Sequence, residues 1–378
     1  MALDLKKFIS VIESAHVKVP LPEFNSKLRD LNLPSSNSWA KVAKALVDYA
    51  SSAKSKNQQS ELEQLIGWVD SYVSYSNKIL TIYNLGNCHV PKVSGLADAF
   101  ETALPALHIS SKHPAGSFPA FSQGAQSQNT SGRLFFRGRR KTAHGSEFIF
   151  SSFQEYQVRE DLPLTQGDAK TLPKLSPYYK LIGLRRVVHE HIDLVRFSHS
   201  ALAAGVGSVE VLLDGTKPGG AILNVEEALA RTKVYTSLVN NVMGKTLGED
   251  LPGARNLFGA MSKIYNSKEG NVCELYFTTK IGGSVKREKM KRNTADLRSE
   301  TWHAGGRKAI ASAAIPDSID IYRLSVSWKL SFSDDEPVLS ILGTYKSLDT
   351  GVVYCALVSG CTEDISFEHA FAKLVNYS

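Results

Sequence analysis

The clearest periodicity in this chain runs from Tyr322 to Phe332. Tyr322, Leu324, Val326, Trp328, Leu330 and Phe332 alternate with Arg323, Ser325, Ser327, Lys329 and Ser331. A period of two predicts a strand with one buried and one wet face, which places Tyr322, Val326, Trp328 and Phe332 in a core. Two further apolar runs, 338–345 and 352–358, follow at hairpin distance, with Asp349-Thr350-Gly351 as the turn. Residues 134–137, 147–153 and 272–281 also read as strands. So does the stretch from Tyr178 to Gly215, as two strands joined by the small residues Ala203 to Gly207. The first is rich in β-branched and large apolar side chains, among them Leu184, Val187, Val188, Ile192, Leu194, Val195 and Phe197. In the second, Val209, Val211 and Leu213 alternate with Ser208, Glu210 and Leu212, which argues for one buried face. That strand stops at Asp214-Gly215, where aspartate is expected to accept backbone N–H bonds in the turn.

The first hundred residues follow a helical period instead. Leu5, Phe8, Ile9 and Ile12 form one face, and Trp39, Val42, Leu46 and Tyr49 another, with Ser38 as its cap. Ser60 and Glu63 read as a capping box for a helix carrying Leu62, Leu65, Ile66, Val69, Val73 and Leu80. Pro252 is expected to open a helix through Leu257, Met261, Ile264 and Tyr265. Residues 226–230 pull toward helix after a short extended piece, and Phe367, Ala370, Phe371 and Leu374 predict a terminal helix. Between 110 and 131 the composition shifts to Ser, Gln, Gly, Pro and Ala, the mark of a linker or surface loop. The expected organisation is a helical region over 1–109, that linker, and an antiparallel β-rich domain over 132–378. The class is α+β, mainly β, with a sandwich or jelly-roll-like core, since strands and helices do not strictly alternate.

Composition adds limits. An apolar share of 43% suits a packed globular chain. No apolar run approaches the roughly 18 residues that span a bilayer, and the acid at Asp4 argues against a secretory signal. Cys88, Cys273, Cys355 and Cys361 lack metal-type spacing and read as reduced thiols, with Cys355 and Cys361 near enough in sequence to approach each other.

Charge changes the picture more. Arg133, Arg137, Arg139, Arg140 and Lys141 give +5 in nine residues, with Phe135 and Phe136 among them. Lys286, Arg287, Lys289, Lys291 and Arg292 against Glu288 give +4, and Arg298, Arg307 and Lys308 extend the run. The two stretches carry +9 where the whole chain carries +7, so the remainder is slightly acidic. Local basicity interleaved with aromatics suits single-stranded nucleic acid, whose phosphates want cations and whose bases want π-faces. The plainer alternative is a buried phenylalanine strand followed by a solvated turn.

Other chemistry is sparse. His189 and His191, two apart on a strand, face one way and are weak metal candidates, with His199 a third. Two polar residues on a solvent face explain the pair more simply, and no cofactor is expected. The glycines at 205, 207, 215, 219–220, 282–283 and 305–306 read as turns, because no P-loop or nucleophile-elbow pattern accompanies them. An enzyme is not expected.

The strand with Gly207, Val209, Val211, Leu213 and Asp214 has a long apolar strand before it (181–194) and Ala221-Ile222-Leu223 after it. With the later stretch 270–277, it resembles the core of the thirty-kilodalton superfamily of plant-virus movement proteins. The resemblance covers about 100 residues and its motif is loose. It implies a jelly-roll-like core related to viral capsid proteins and sequence-independent binding of single-stranded RNA. It further implies a homo-oligomer acting in the host-cell cytoplasm and at plasmodesmata, with host membrane or plasmodesmal proteins as partners and Asp214 needed for transport. The helical first hundred residues, the strands at 319–358 and the missing charged tail depart from that family's pattern. The alternative is a coat or nucleocapsid protein packaging RNA in a virion, and a metal enzyme built on His189 and His191 is a third reading.

Overall fold

The computed structural model describes residues 4–53, 55–86, 90–107, 132–163, 180–199, 207–279, 284–291, 295–312 and 319–378. The loop at 110–131, the turn at 203–206, Gly282-Gly283, Cys88 and Arg292 therefore lie outside the described residues. The chain is α+β, and its described strands form one ten-stranded, wholly antiparallel sheet.

Four helices open the chain: α1 (Leu5–Lys18), α2 (Leu21–Asp30), α3 (Trp39–Ser52) and α4 (Lys56–Tyr75). The residues that cap α4 are Ser55 and Gln58, which bond each other reciprocally; Ser60 lies inside the helix. Ser38 precedes α3 as expected but makes no side-chain cap bond. In α1, Phe8, Val11, Ile12 and Ala15 face the core, while Leu5 and Ile9 sit at its exposed margin.

Next comes β1 (Lys78–Asn84), the one strand the helical pattern concealed. Leu80, expected on the preceding helix, belongs to it. Then follow α5 (Val90–Ala103), β2 (Leu134–Thr142), β3 (Gly145–Pro163), β4 (Lys180–His199), β5 (Gly207–Asp214) and α6 (Val225–Thr246). The next elements are α7 (Phe258–Asn266), β6 (Asn271–Thr279), β7 (Val285–Lys289), α8 (Thr301–Ser312) and β8 (Ile319–Ser327). The chain closes with β9 (Val338–Ile341), α9 (Lys346–Thr350), β10 (Ala356–Ser359) and α10 (Asp364–Tyr377). The spatial order is β2-β3-β4-β5-β1-β10-β9-β8-β6-β7. β1 thus joins the two halves of the sheet, pairing Leu80 with both Leu212 and Ala356.

Both faces of this sheet are covered by helices. Leu80, Ile192, Leu194, Leu212, Leu324 and Val326 pack with α1, α3, α4, α7 and α10 in one cluster. Ile79, Phe148, Phe150, Val195, Val209, Val211 and Leu213 pack with α5 and α6 in another. That double cover corrects the reading of β5: Leu212 and Glu210, expected to be wet, are as buried as their neighbours. It also corrects β8, where Ser325 and Ser327 are buried. Tyr322, Val326 and Trp328 are in the interior as expected, but Phe332 is 53% exposed, because β8 ends at Ser327 and the chain turns. A register shift near Tyr322 also makes Ile321, not Tyr322, the partner of Leu324 in the core.

Other boundaries moved for local reasons. Residues 251–257 form no regular element and bond outward, Arg255 N–H to the Ile82 carbonyl and Leu257 N–H to the Val353 carbonyl, so the helix begins at Phe258 and not at Pro252. Asp349-Thr350-Gly351 ends the short helix α9, with Gly351 left-handed at φ 64°, where a hairpin turn was expected. Gly305 and Gly306 lie within α8. Cys273, Cys355 and Cys361 are buried free thiols.

Candidate functional site

The two basic stretches occupy the two outermost strands of the sheet, β2 and β7. Nine strand spacings separate them, on the order of 40 Å at the usual inter-strand distance. They do not form one patch.

On β2 most of the charge is already paired. A β-bulge between Phe136 and Gly138 makes Arg137 the extra residue. Its side chain is 1% exposed and lies 3.5 Å from the carboxylate of Glu190. Arg139 reaches Asp98 at 2.6 Å and Glu101 at 2.9 Å on α5. Arg140 pairs with Asp70 at 3.1 Å on α4 and with the fully buried Glu147 at 2.8 Å, and donates to the Tyr75 hydroxyl. Glu147 also holds Arg196 at 2.9 Å. Burial would raise the Glu147 carboxyl, but Arg196 and Arg140 outweigh it and hold the group below its ordinary range. Phe135 is buried edge-to-face against Phe153, so the ring is unavailable for stacking on a base. Only Arg133 and Lys141, at the two ends, are exposed.

On β7 the cations stand in solvent. Lys286, Arg287, Lys289 and Lys291 are all exposed. Among the described residues no carboxylate pairs with any of them. The acids nearest in sequence and register are engaged elsewhere. Glu288 bonds His303 Nδ1 at 2.6 Å, which ties α8 to this edge, and Glu274, opposite Lys289, accepts from Arg323 and Ser325. Arg287 and Arg323 both lie over the Tyr276 ring, at 5.3 and 5.4 Å. One residue before His303 stands Trp302, 87% exposed. Trp302 and Tyr276 are the aromatic members of this edge that the sequence reading passed over. The signal was there for Trp302: a tryptophan between Glu300-Thr301 and a glycine pair, in a helix with no apolar face to place it on.

The histidine pair is not on a solvent face. His189 and His191 sit beside Asp214 in a buried cluster whose ligand-type atoms lie within 4.8 Å of one another; His199 is at the far end of β4. α1 ends in this cluster. The Lys18 ammonium is 2.7 Å from Asp214 Oδ2, 3.0 Å from His189 Nε2, and donates to the Glu190 carbonyl. The position a metal shared by His189 and Asp214 would take is therefore filled by an internal cation. Tyr156 bonds His191 Nε2 at 2.8 Å. Burial, reinforced by Lys18, pushes His189 down to about 3, and burial with Arg231 nearby puts His191 lower still. Burial would raise the Asp214 carboxyl, yet Lys18 and Lys78 hold it well below the usual carboxylate range. Asp214 also accepts from the Thr216 N–H at 3.1 Å, the turn role expected of it. A cleft of about 360 Å³ opens onto Lys18, His189, Asp214 and Lys217.

Comparison with protein-family models, with curated proteins and with solved structures finds no match to this chain. Among the described residues no helix is long and apolar enough to cross a membrane.

Proposed function

We propose that this protein binds single-stranded nucleic acid, without reading its sequence, along β7 and the adjoining helix α8. The observation that carries the reading is the row of four exposed cations, Lys286, Arg287, Lys289 and Lys291, together with an exposed tryptophan on α8, the helix that His303 and Glu288 tie to this edge. Cations that are not neutralised by the chain itself can release counterions from a phosphate backbone, and an indole face in solvent can take a base. The partner class is RNA, and the biological setting is cell-to-cell transport of a viral genome. That setting is supported by the resemblance of residues 207–214 and their neighbours to the movement-protein core. Kinship with a jelly-roll core belongs to the same proposal: the antiparallel pairing of the ten strands is compatible with it, while the single sheet with helices on both faces departs from the two facing sheets of that architecture.

The test is a salt series with a fluorescent single-stranded oligonucleotide. Replacing Lys286, Arg287 and Lys289 by alanine removes up to three phosphate contacts, so the slope of log affinity against log salt should fall by about 2. Stability should stay within about 0.5 kcal/mol, because these are surface positions on an edge strand. Unchanged affinity and slope in a folded triple variant would sink the proposal. Regular particles assembled with RNA in electron micrographs would move the setting from transport to packaging.

A further inference from the structure

β3 and β4 run far beyond the sheet that holds them. They pair continuously from Gly145↔Ser198 to Pro163↔Lys180. β2 accompanies β3 only as far as Ser152, and β5 accompanies β4 only over 194–199. Among the described residues, from Gln154 to Pro163 and from Lys180 to His189 the two strands have only each other as ladder partners. That is a two-stranded ribbon about 33 Å long at the usual rise of a strand. Its base is anchored by Tyr156, His189 and Val188, which packs on Phe135 and Phe153.

Farther out, no described strand pairs with either outer edge of the ribbon, and it exposes apolar side chains. Ile182 is 50% exposed and Leu184 69%, and two residues apart they share one face. An isolated two-stranded ribbon is marginal in water, and adjacent exposed aliphatics on a free strand are a surface that ordinarily gains a cover. The charges say what kind. Glu155 and Glu160 on β3 pair with Arg186 and Arg185 on β4, at 3.4 and 2.7 Å, with all four side chains at least 41% exposed. On the face that carries Ile182 and Leu184, the register adds Asp161, Arg159 and Glu155 from β3 and Arg186 from β4, two acids and two bases. A polyanion or a strongly basic partner would meet as much repulsion as attraction here. A second ribbon of the same kind presents acids to bases and bases to acids around a shared apolar strip.

We infer that the β3–β4 ribbon is a self-association arm, and that its partner is the same ribbon of a second copy of this chain. The site is separate from the β7 edge, so association and nucleic-acid binding are measured independently. Sedimentation velocity of the full chain at micromolar concentration should show a dimer or higher oligomer. Ile182→Glu with Leu184→Glu should weaken association about 30-fold or more, as loss of a central apolar anchor does, with the melting temperature held. A charge exchange removes any doubt about folding. Arg159→Glu with Arg186→Glu, and separately Glu155→Arg with Asp161→Arg, should each fail to self-associate, and the two variants mixed should associate. A wild-type monomer at tens of micromolar, an oligomer unaffected by the Ile182/Leu184 pair, or mixed variants that ignore each other would each overturn the inference.

Discussion

The two edge strands make an instructive pair. β2 and β7 are alike in sequence: short basic runs, free of long apolar stretches, each closing one side of the same sheet. Cations on edge strands are a known defence against unwanted pairing with other strands, and both edges have that benefit. Their environments separate them. β2 lies between α4 and α5, so Asp70, Asp98, Glu101 and the buried Glu147 converge on Arg139 and Arg140, and the bulge turns Arg137 in toward Glu190. Among the described residues no helix is laid across the cations of β7, and theirs is charge that solvent sees. The lesson is that a basic run in sequence counts charges, whereas a nucleic acid counts only those left over after the fold has paired its own.

If the distinction is right, disturbing the β2 side should unfold the protein before it affects binding. Glu147→Ala strands Arg196, whose side chain is 3% exposed, without one of its two carboxylates, and leaves Arg140 with Asp70 alone. Breaking a buried pair this way typically costs about 3–5 kcal/mol. Urea denaturation should show that loss, while the salt slope of RNA binding in the folded fraction stays put. A Glu147→Ala protein of wild-type stability would mean that the β2 arginines are not committed and would reopen that edge as a binding surface.

Acid should expose the third charged region. His189 is neutral in the folded chain down to about pH 3 but protonates near 6.5 when unfolded. The unfolded state thus binds more protons below 6.5, so stability is full above that value and declines as pH falls toward 3. For this one group the loss between pH 7 and pH 5 is about 2 kcal/mol. His191 acts in the same direction. His189→Gln should flatten the decline in thermal or chemical denaturation across that range, and an unchanged pH profile would place the histidine in solvent.

On the β7 side, Trp302→Ala should weaken binding of a single-stranded oligonucleotide by about 1–3 kcal/mol if the indole stacks on one base, with no change in salt slope. The slope is the sharper half of this measurement, because stacking releases no counterions. The smallest effect is expected from Lys141→Ala, an exposed residue at the end of β2. It should shift stability by no more than about 0.5 kcal/mol.

Much of this protein was legible residue by residue. Period-two runs marked β5 and β8, β-branched and large apolar content marked β4, and the helical period marked α1, α3 and α4, because those signals are local and strong. The apolar interior followed from them, down to Trp328 and Val326. Turn chemistry at Asp214 was also readable, since aspartate before glycine bonds its own backbone wherever it sits.

What the sequence could not decide was everything that depends on which elements lie across one another. That β1 belongs to a sheet, that the sheet is covered on both faces, and that Glu210 and Ser325 are therefore buried all require knowing what lies above a strand. The histidine cluster needed Lys18, which is 171 residues from His189 and has no motif to announce it. The opposite fates of the two basic runs turn on acids at positions 70, 98, 101, 147 and 190, distant in sequence and brought close only by packing. Local pattern fixes periodicity and the side of an element that is apolar; charge pairing acts over a few ångströms in space, so only the tertiary structure could say which cations remain unspent.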